Sequence, residues 1–476
     1  MHVKSVSLNV DGQTVRGDLA SLGRELEERC GGIPLRFSAI DGRGDAVRCE
    51  VETAFGFEGG AEFPSIFEYR RRGPERVDAM NAVMLIPTGV DCTIGGHAGD
   101  ATPAAKVLAQ VCDRLVLHPN VVNASDVNEQ PENALYVEGS QICRLLTGAA
   151  GLRRVRSNRV LVVTDPAERG GAGFEEDGEL GSGWVLDQVV NCASTARATM
   201  GIDVPEVLIA HGGLGVRIEY SPAGRATGRI DSLEPLVRLL RSRRAEFDAV
   251  AVASKITPPV DSLQLHADYF NGDRPNPWGG AEAALTHTLS SLLEVPVAHA
   301  PTMSDLSLRT ERYGRVDPRK AAEVISVTYL MCVLKGLHKA PALVAGSSAY
   351  DPSELHAEDV SALIVPDGCL GLPVLAARAQ GIRVIAVQEN ENLMRNDLGA
   401  LGWAPGQFHQ VSSYLEAAGL LAAIKAGVAP ESVRRPIAPT RVRRGDAPKA
   451  GSSHGSSSNG AARRVESRNG HLAGVN

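Results

Sequence analysis

The sequence has no apolar stretch that approaches the ~18 residues with which a helix crosses a membrane. Its first residues, MHVKSVSLNVDGQTVRG, alternate polar and apolar side chains and lack the apolar core of a signal peptide. The sequence therefore predicts a cytoplasmic protein without a membrane partner.

Dedicated metal and disulfide motifs are also missing. No two of the eight cysteines form a CxxC pair, so neither a zinc ribbon nor a disulfide framework is indicated. No H-x-x-x-H or H-E-x-x-H pattern places two histidines on one helix face. We therefore predict no metal ligand, although a divalent cation is compatible with the acidic and amide side chains of residues 388–397.

Positive charge is scarce outside the C-terminal tail. The net charge is -7, yet residues 437–476 carry seven Lys and Arg against Asp446 and Glu466. The rest of the chain is therefore more acidic than the total suggests, which excludes a natural nucleic-acid partner. The tail is rich in Pro, Gly, Ser and Arg, and this composition predicts disorder because it cannot bury enough apolar surface.

Short apolar runs that end abruptly in polar or glycine residues are the main feature present. They are rich in β-branched residues and do not alternate, as expected for strands buried on both faces. The runs are Ala82–Pro87, Leu115–Leu117, Val160–Val163, Val207–Ala210, Ala249–Val252, Val295–Ala298, Leu343–Ala345, Ala362–Val365 and Val384–Val387.

Helical patterns between several of these runs predict an α/β protein with two doubly wound, mostly parallel sheets, that is, Rossmann-like lobes. The irregular spacing disfavours a closed barrel of eight equal units. We predict a small N-terminal α+β unit at 1–60, a first lobe at 61–200, a second lobe at 201–435 and a disordered tail at 436–476. The N-terminal unit reads as a packing or dimerisation layer, which makes a homo-oligomer compatible with the sequence.

Residues 82–139 read as strand, loop, helix and strand, with a polar loop above the strand ends where α/β sheets bind ligands. The loop does not match the dinucleotide or P-loop patterns, and His118 stands where an acidic residue would hold a ribose, so NAD is not expected. Its N–H groups favour an anion, while tight-turn glycines are the alternative. The ligand-binding candidates here are Gly95, Gly96, Gly99, Asp100, Asn120 and Asn123.

Further candidates follow later strands. The loop HGGLG offers His211, Gly212 and Gly213, and the segment NPWGGAEAALTH offers Trp278, Gly279, Gly280 and Glu282. Glu282 is the candidate general base, or a ligand of the helix dipole. Glu389 and Asn390 can seal a polar pocket or begin a solvated helix.

Cys369 lies in the turn PDGCLG before a predicted helix. A helix N-terminus lowers a thiol pKa, so Cys369 is expected to be exposed and reactive, although a buried small residue is the alternative. Cys92 can face it, as paired cysteines do in cofactor-free racemases. Together with Glu282, His211 and His118, Cys369 completes the set of candidate catalytic residues.

Several segments together resemble a domain-of-unknown-function family from cyanobacteria, plastids and some actinomycetes. The similarity spans about residues 82–400 and rests on IPTG, IGGHAGDA, HPNVVNA, PENALYVEG, HGGLG, NPWGGAEA, VDPRKAAEVIS, PDGCLG and ENENLMRNDL. This resemblance implies a soluble α/β protein and no particular reaction.

The sequence thus favours an enzyme that acts on a small carboxylate- or phosphate-bearing metabolite in biosynthesis. Its chemistry would be acid–base or cysteine-nucleophile, of lyase, isomerase or hydrolase type, with no cofactor predicted. One alternative is a metal-dependent hydrolase that uses the strand-end residues His118, His211, His287 and His299. Another is a non-catalytic ligand-binding or complex subunit.

Overall fold

The structure is a computed structural model. It describes residues 1–57, 64–122, 130–166, 182–272, 274–302, 313–325, 329–346 and 351–443. Contacts divide the chain into Met1–Pro430 and Glu431–Asn476, and the strands and α-helices given below lie in the first of these units. From residue 444 onward, the tail predicted to be disordered lies outside the described residues.

The described strands, in chain order, are β1 His2–Asp11, β2 Ile33–Asp41, β3 Ala46–Phe55, β4 Asn81–Met84, β5 Arg114–Leu117, β6 Ala134–Tyr136, β7 Ala150–Arg153, β8 Val160–Thr164, β9 Val207–Ile209, β10 Val216–Tyr220, β11 Ala226–Ile230, β12 Ala249–Ser254, β13 Ile256–Thr257, β14 Val297–Pro301, β15 Ala342–Ala345, β16 Glu354–Leu355, β17 Val360–Pro366, β18 Leu370–Gly371, β19 Arg383–Val387 and β20 Phe408–Val411.

The described α-helices are α1 Gly12–Arg16, α2 Leu19–Cys30, α3 Thr102–Ala109, α4 Gly139–Leu146, α5 Ser182–Met200, α6 Glu234–Ser242, α7 Ser262–Asn271, α8 Pro277–Leu293, α9 Ala321–Ile325, α10 Tyr329–His338, α11 Leu372–Gln380 and α12 Tyr414–Lys425. Within the described ranges, no helix is both long and apolar enough to cross a lipid bilayer.

Two parallel sheets confirm the predicted fold class. The six-stranded sheet has the order β20-β19-β17-β4-β5-β6 and the four-stranded sheet has the order β14-β12-β8-β9. Alternate strand residues enter different cores: Met84 packs with α3 and α12, whereas Val83 packs with α4 and α11. Helices therefore cover both faces of the six-stranded sheet, as the uninterrupted apolar runs predicted.

The order of the six-stranded sheet creates a switch point between β4 and β17. From β4 the chain proceeds outward through β5 and β6, and from β17 it proceeds in the opposite direction through β19 and β20. The loops after β4 and β17 therefore diverge and leave a crevice at the carboxyl edge of the sheet. Ligands of doubly wound sheets bind at such a crevice.

We predicted two lobes that follow one another in the sequence, but the two parallel sheets are not divided in this way. Strands from residues 81–136 and 360–411 share one sheet, and the strands of the four-stranded sheet come from residues 160–301. The apolar runs indicated strands but carried no information about which runs pair across long separations. A boundary at residue 200 therefore does not separate the two sheets.

The N-terminal segment is also not a separate unit. Strands β1, β2 and β3 form one seven-stranded sheet with β10, β11, β13 and β18, in the order β13-β10-β11-β1-β3-β2-β18. At one side Leu370 pairs with Ala39 and Gly371 pairs with Ser38, which joins β2 to the turn after β17. The N-terminal strands thus reach the edge of the six-stranded sheet where the crevice lies.

Candidate functional site

A cavity lies at the switch point between β4 and β17, with about 80 Å³ available to the centres of water-sized molecules. This is room for a small organic ligand rather than for a single water molecule. Its wall comes from strand ends, from β2 and from the helices α4, α8 and α11. It includes Leu35, Arg36, Phe37, Ser38, Leu85, Pro87, Thr88, His118, Gly139, Ser140, Cys143, Arg144, His287, Ser291, Val365, Cys369, Leu370, Gly371, Leu372, Pro373, Val374 and Met394. A mostly apolar pocket with a few converging polar groups is the usual form of a small-molecule site.

Glu138 and His287 lie side by side, both buried, and His287 belongs to the cavity wall. The His287 Nδ1 atom lies 2.7 Å from Glu138 Oε1. Glu138 also caps α4, where its Oε2 accepts hydrogen bonds from the backbone N–H of Ser140, at 2.7 Å, and from the Ser140 hydroxyl. Burial alone would raise the pKa of Glu138, but His287 and Ser140 outweigh it and hold the pKa at about 2. The carboxyl is therefore ionised at neutral pH.

His118 and His287 converge above Gly139. A Cβ atom at position 139 would lie 2.8 Å from His287 Nε2 and 3.0 Å from His118 Nε2. The two Nε2 atoms are therefore no more than about 6 Å apart, and only glycine leaves room for both rings. Burial and the neighbouring His287 lower the pKa of His118 to about 3, so this imidazole is neutral.

Cys369 lines the cavity, but not as the sequence predicted. It is 2% exposed and its thiol contacts Cys92, which is equally buried. Burial, together with the Cys92 thiol, raises the pKa of Cys369 well above its usual value. The helix after it begins at Leu372 with Gly371 as N-cap, so Cys369 precedes the cap and is not stabilised as a thiolate. The structure thus brings the two cysteines together and keeps Cys369 as a protonated thiol.

The backbone N–H groups of the glycine-rich loop bind a carboxylate from the loop itself, that of Asp100. The Asp100 carboxylate accepts the backbone N–H of Gly95 at 3.0 Å and of His97 at 3.2 Å. Gly95 and Gly99 have positive φ angles, and a Cβ at Gly96 would lie 2.4 Å from the Cys92 carbonyl oxygen. The tight-turn alternative therefore describes these glycines, and the N–H groups of Gly95 and His97 are already bound by Asp100.

The amide residues mostly brace loops. Asn120 donates to the carbonyls of Ile86 and Pro87 at 3.2 and 3.3 Å. Asn390 is 1% exposed; it accepts from Ile94 N–H at 2.9 Å and donates to the Ile94 carbonyl at 2.8 Å. These amides hold the loop after β4 in place instead of facing a ligand.

Two further ligand-binding candidates from the same segments are Glu389 and Asn123. Glu389 accepts from the backbone N–H of Tyr414 at 2.7 Å, at the start of α12. Asn123 lies outside the described residues.

Glu282 and His211 lie apart from Cys369 and His118. Glu282 Oε1 lies 3.4 Å from His299 Nδ1, and His299 Nε2 lies 3.0 Å from the hydroxyl of Ser254, which is fully buried. His211 is exposed beyond the end of β9, in the other parallel sheet. The four candidate catalytic residues therefore do not form one constellation.

The remaining glycine candidates permit close packing. Gly212 and Gly213 have φ angles of 86° and 74°, and the loop that they form places Leu214 N–H 3.0 Å from Asp165 Oδ1. Asp165 Oδ2 also accepts from Lys255 N–H at 2.8 Å, so its carboxylate joins the ends of β8 and β12.

At the start of α8, Asn276 caps the helix. A Cβ at Gly279 or Gly280 would meet Thr88 or the Ala226 carbonyl oxygen, at 2.7 and 2.2 Å. Trp278 packs against His266 in a tilted arrangement, with ring centroids 4.4 Å apart and an angle of 46° between the ring planes.

The four histidines of the metal hypothesis do not come together at one point, and one of them, His287, lies within α8 rather than at a strand end. His118 shares the cavity with His287, His299 contacts Ser254, and His211 lies apart from them. In the parts of the chain that the structure describes, no group of three His, Cys, Asp or Glu side chains is placed to hold a metal ion. The metal-dependent hydrolase therefore gains no support from the described geometry.

The sequence analysis did not select Glu138 or Arg36, and it did not pair His287 with Glu138. Glu138 and Gly139 follow the short apolar run Ala134–Tyr136, and the pair Glu-Gly after a strand was the available signal. His287 lies in the singled-out segment NPWGGAEAALTH, but Glu282 was preferred in it. Arg36 lies in the N-terminal segment and had no signal of its own.

Two comparisons place the chain among known sequences. The family described as "Protein of unknown function (DUF3326)" matches residues 81–434. An uncharacterized lipoprotein of Synechococcus is 35% identical over 360 residues, which cover 75% of this chain and 93% of that protein. No solved structure matches the chain significantly. Since that relative is named a lipoprotein, the cytoplasmic location expected from the sequence stays a prediction.

Proposed function

Since the chain belongs to the DUF3326 family, which is described as a protein of unknown function, we propose a function from the cavity: an enzyme that moves a proton on a small metabolite, of isomerase or lyase type. One observation carries the proposal. The Glu138 carboxylate lies 2.7 Å from His287 Nδ1, and in the cavity wall His287 Nε2 lies beside His118 Nε2.

His287 is the proposed base. Because Nδ1 faces Glu138, Nε2 is the nitrogen available to a ligand in the cavity. Glu138 fixes the ring orientation and stabilises the imidazolium that forms when Nε2 takes a proton. General acid–base groups held in this way typically contribute 10²–10⁴-fold to a rate.

His118 is the proposed hydrogen-bond donor to the reacting oxygen. Its Nδ1 accepts from the backbone N–H of Asn120 at 3.2 Å, so the neutral ring carries its proton on Nε2. A neutral imidazole that donates to a carbonyl or carboxylate oxygen stabilises the negative charge that develops during proton abstraction. His118 and His287 can therefore act on the same small molecule.

The state of Cys369 favours acid–base chemistry over the cysteine-nucleophile alternative. A nucleophilic cysteine reacts as the thiolate. Burial and the adjacent Cys92 raise the pKa of Cys369, which keeps the thiol protonated in the cavity wall. A protonated thiol can donate a proton but is a weak nucleophile.

Hydrogen–deuterium exchange at carbon tests the proposal directly. Carboxylic acids of three to five carbons, with a hydroxyl, amino or methyl group at C2, would be added to the protein in D₂O. Proton NMR would then follow the C2–H signal of each acid. We expect exchange with at least one acid, and a loss of about 10²-fold or more in His287→Gln and Glu138→Gln. His211→Gln is the matched control, because this histidine is exposed and distant from the cavity wall.

A ligand-binding subunit would give a different result. It would bind an acid without exchanging its C2 proton, and this outcome would rule out the proposed chemistry. Exchange that survives in both variants would instead remove His287 and Glu138 from the mechanism.

A further inference from the structure

Ser291 differs from the other hydroxyl-bearing residues of α8 because its side chain makes no hydrogen bond within the described part of the chain. A hydroxyl within a helix can bond to a nearby backbone carbonyl or turn away from the helix. The other three hydroxyls of α8 donate to backbone carbonyl oxygens, and they belong to Thr286, Thr288 and Ser290. The Ser291 hydroxyl therefore remains available to a ligand.

The Ser291 hydroxyl is open to the cavity. Ser291 is 6% exposed and belongs to the cavity wall. Unlike both amide atoms of Gln141, which are fully enclosed without a partner, the Ser291 oxygen keeps free surface. Because the rest of the residue is buried, this surface faces the cavity. A buried hydroxyl without a partner costs free energy, and a ligand that supplies the partner removes this cost.

Ser291 lies one helical turn from the proposed base. It follows His287 by four residues on α8, so the two side chains project from the same face of the helix with their Cβ atoms about 5–6 Å apart. Both residues line the cavity. A small molecule whose reacting carbon lies at His287 Nε2 can therefore reach Ser291 with a group about two to four bonds further along its chain.

Charge at this end of the cavity is balanced. Arg144 of α4 also lines the cavity, and its Nη1 lies 2.5 Å from Oε1 of Glu294, which caps the end of α8. A ligand carboxylate beside Ser291 would therefore face a cation that is already paired with another carboxylate. A neutral hydroxyl can donate to and accept from the Ser291 hydroxyl, and it needs no cation.

We infer that the substrate carries a hydroxyl about two to four bonds from the carbon that loses its proton, and that Ser291 binds this hydroxyl. The inference rests on the proposed function, for which it names the substrate class, a short hydroxylated acid or carbonyl compound. Ser291 determines specificity in this role and takes no part in the proton transfer. A methyl group in place of the hydroxyl would leave Ser291 without a partner, so such an analogue should bind more weakly.

Pentanoate and 4-hydroxybutyrate test the inference by isothermal titration calorimetry, because they differ only in a methyl group against a hydroxyl of similar size. Pentanamide and 4-hydroxybutanamide repeat the comparison without the charge. We expect the intact protein to bind the hydroxylated member of at least one pair about threefold or more tightly, the effect of one net hydrogen bond. A wall without a free hydroxyl would give the reverse order, since a hydroxyl is costlier to bury than a methyl group.

Three results with the intact protein would overturn the inference without any variant. These are equal binding within both pairs, tighter binding of the methyl compounds in both pairs, and no binding of any of the four molecules. Pentanedioate adds a further arm, because it carries a carboxylate in place of the same methyl group. Tighter binding of pentanedioate than of 4-hydroxybutyrate would assign a second carboxylate, not a hydroxyl, to this end of the cavity.

Ser291→Ala should remove the preference for the hydroxylated compound. Alanine favours a helix more than serine does, so the variant should fold. Ser290→Ala is the matched control, because Ser290 is the adjacent residue, bonds to the Val295 carbonyl and is not part of the cavity wall. The preference should persist in the control. A preference that survives Ser291→Ala, or one that a folded Ser290→Ala protein loses to the same extent, overturns the inference.

Failure of the inference can be distinguished from failure of the proposed function. If the hydroxyl preference depends on Ser291 but no C2 proton exchanges, the hydroxyl site stands and the enzymatic proposal falls. If C2 exchange depends on His287 but the hydroxyl and methyl compounds bind equally, the enzymatic proposal stands and the hydroxyl site falls.

Discussion

Glu138, the N-cap residue of α4, and His287, in the middle of α8, face each other: Glu138 Oε1 lies 2.7 Å from His287 Nδ1, and both side chains are less than one-tenth exposed. Breaking such a pair on one side leaves a buried charge uncompensated. We therefore expect the acid stability of the protein to depend on the same two residues to which we assign the proposed chemistry.

The first prediction concerns stability in acid. The pKa of Glu138 is about 2 in the folded protein against a usual 4.5, so its stabilising effect is complete above about pH 4.5 and is lost as pH falls toward 2. The shift corresponds to on the order of 3 kcal/mol. Urea unfolding should show Glu138→Gln less stable than the unsubstituted protein at pH 6, with a smaller difference at pH 3. A difference in stability that does not change with pH would contradict the lowered pKa of Glu138 in the folded protein.

The second prediction concerns Glu323 of α9. Its Oε1 accepts from Ala98 N–H at 2.9 Å, from the Tyr269 hydroxyl at 3.0 Å and from Asn276 at 3.3 Å. Burial raises its pKa to about 7, and the carboxylates of Glu282 and Asp100 add to the shift.

Because the folded-state pKa of Glu323 is raised, stability falls as pH rises from about 4.5 through 7. Glu323→Gln keeps the acceptor and cannot ionise. We expect the variant to be more stable at pH 8 by up to about 3 kcal/mol, and nearly equal at pH 5, in urea unfolding at both pH values. A variant that is less stable at pH 8 would show that the carboxylate is needed in its ionised form.

The third prediction concerns Gly139. A methyl group there would lie within 3.0 Å of both histidine rings, so Gly139→Ala should destabilise the protein by about 1–3 kcal/mol and displace the rings. Gly419→Ala in α12 is the control, because no atom beyond its chain neighbours and the backbone of its own helix lies within 4 Å of the added Cβ. Chemical denaturation measures the stability, and imidazole NMR signals report the rings. Unchanged ring signals in Gly139→Ala would mean that the rings do not meet above this residue.

The fourth prediction replaces our sequence-based expectation for Cys369. Burial and a raised pKa should make it slower to alkylate than Cys192, which is partly exposed on α5. Mass-spectrometric mapping of iodoacetamide labelling near neutral pH would follow both sites. Cys369 should be modified readily only after denaturation; early labelling in the folded protein would restore the reactive-thiol hypothesis.

The strands and the site edge were predictable because each depends on local sequence. Uninterrupted β-branched runs indicate strands covered on both faces, and residues after such runs must lie at a sheet edge. His118 and Cys369 were found on these grounds, and both line the cavity. The same logic could not separate them from His211, which also follows a strand but lies in the other parallel sheet.

The partners of these residues depend on contacts that short-range patterns do not contain. Glu282 and His287 are five positions apart on α8, so they point to different sides of the helix, and only packing against α4 selects His287. Arg36 reaches the cavity because β2 pairs with β18, more than 300 residues later. The exposure of Cys369 was predicted wrongly for a related reason, since β2 and the loop after β4 cover it.

The pairing of Val83 with Leu363 across β4 and β17 has a consequence for biogenesis. At about 5–20 residues per second, a ribosome needs tens of seconds to add the intervening chain. Until then β4 has no partner on its β17 side, and an unpaired strand edge invites aggregation. We expect the cavity to be among the last parts of the protein to form, and chains that terminate before residue 360 to depend on chaperones while lacking any binding site.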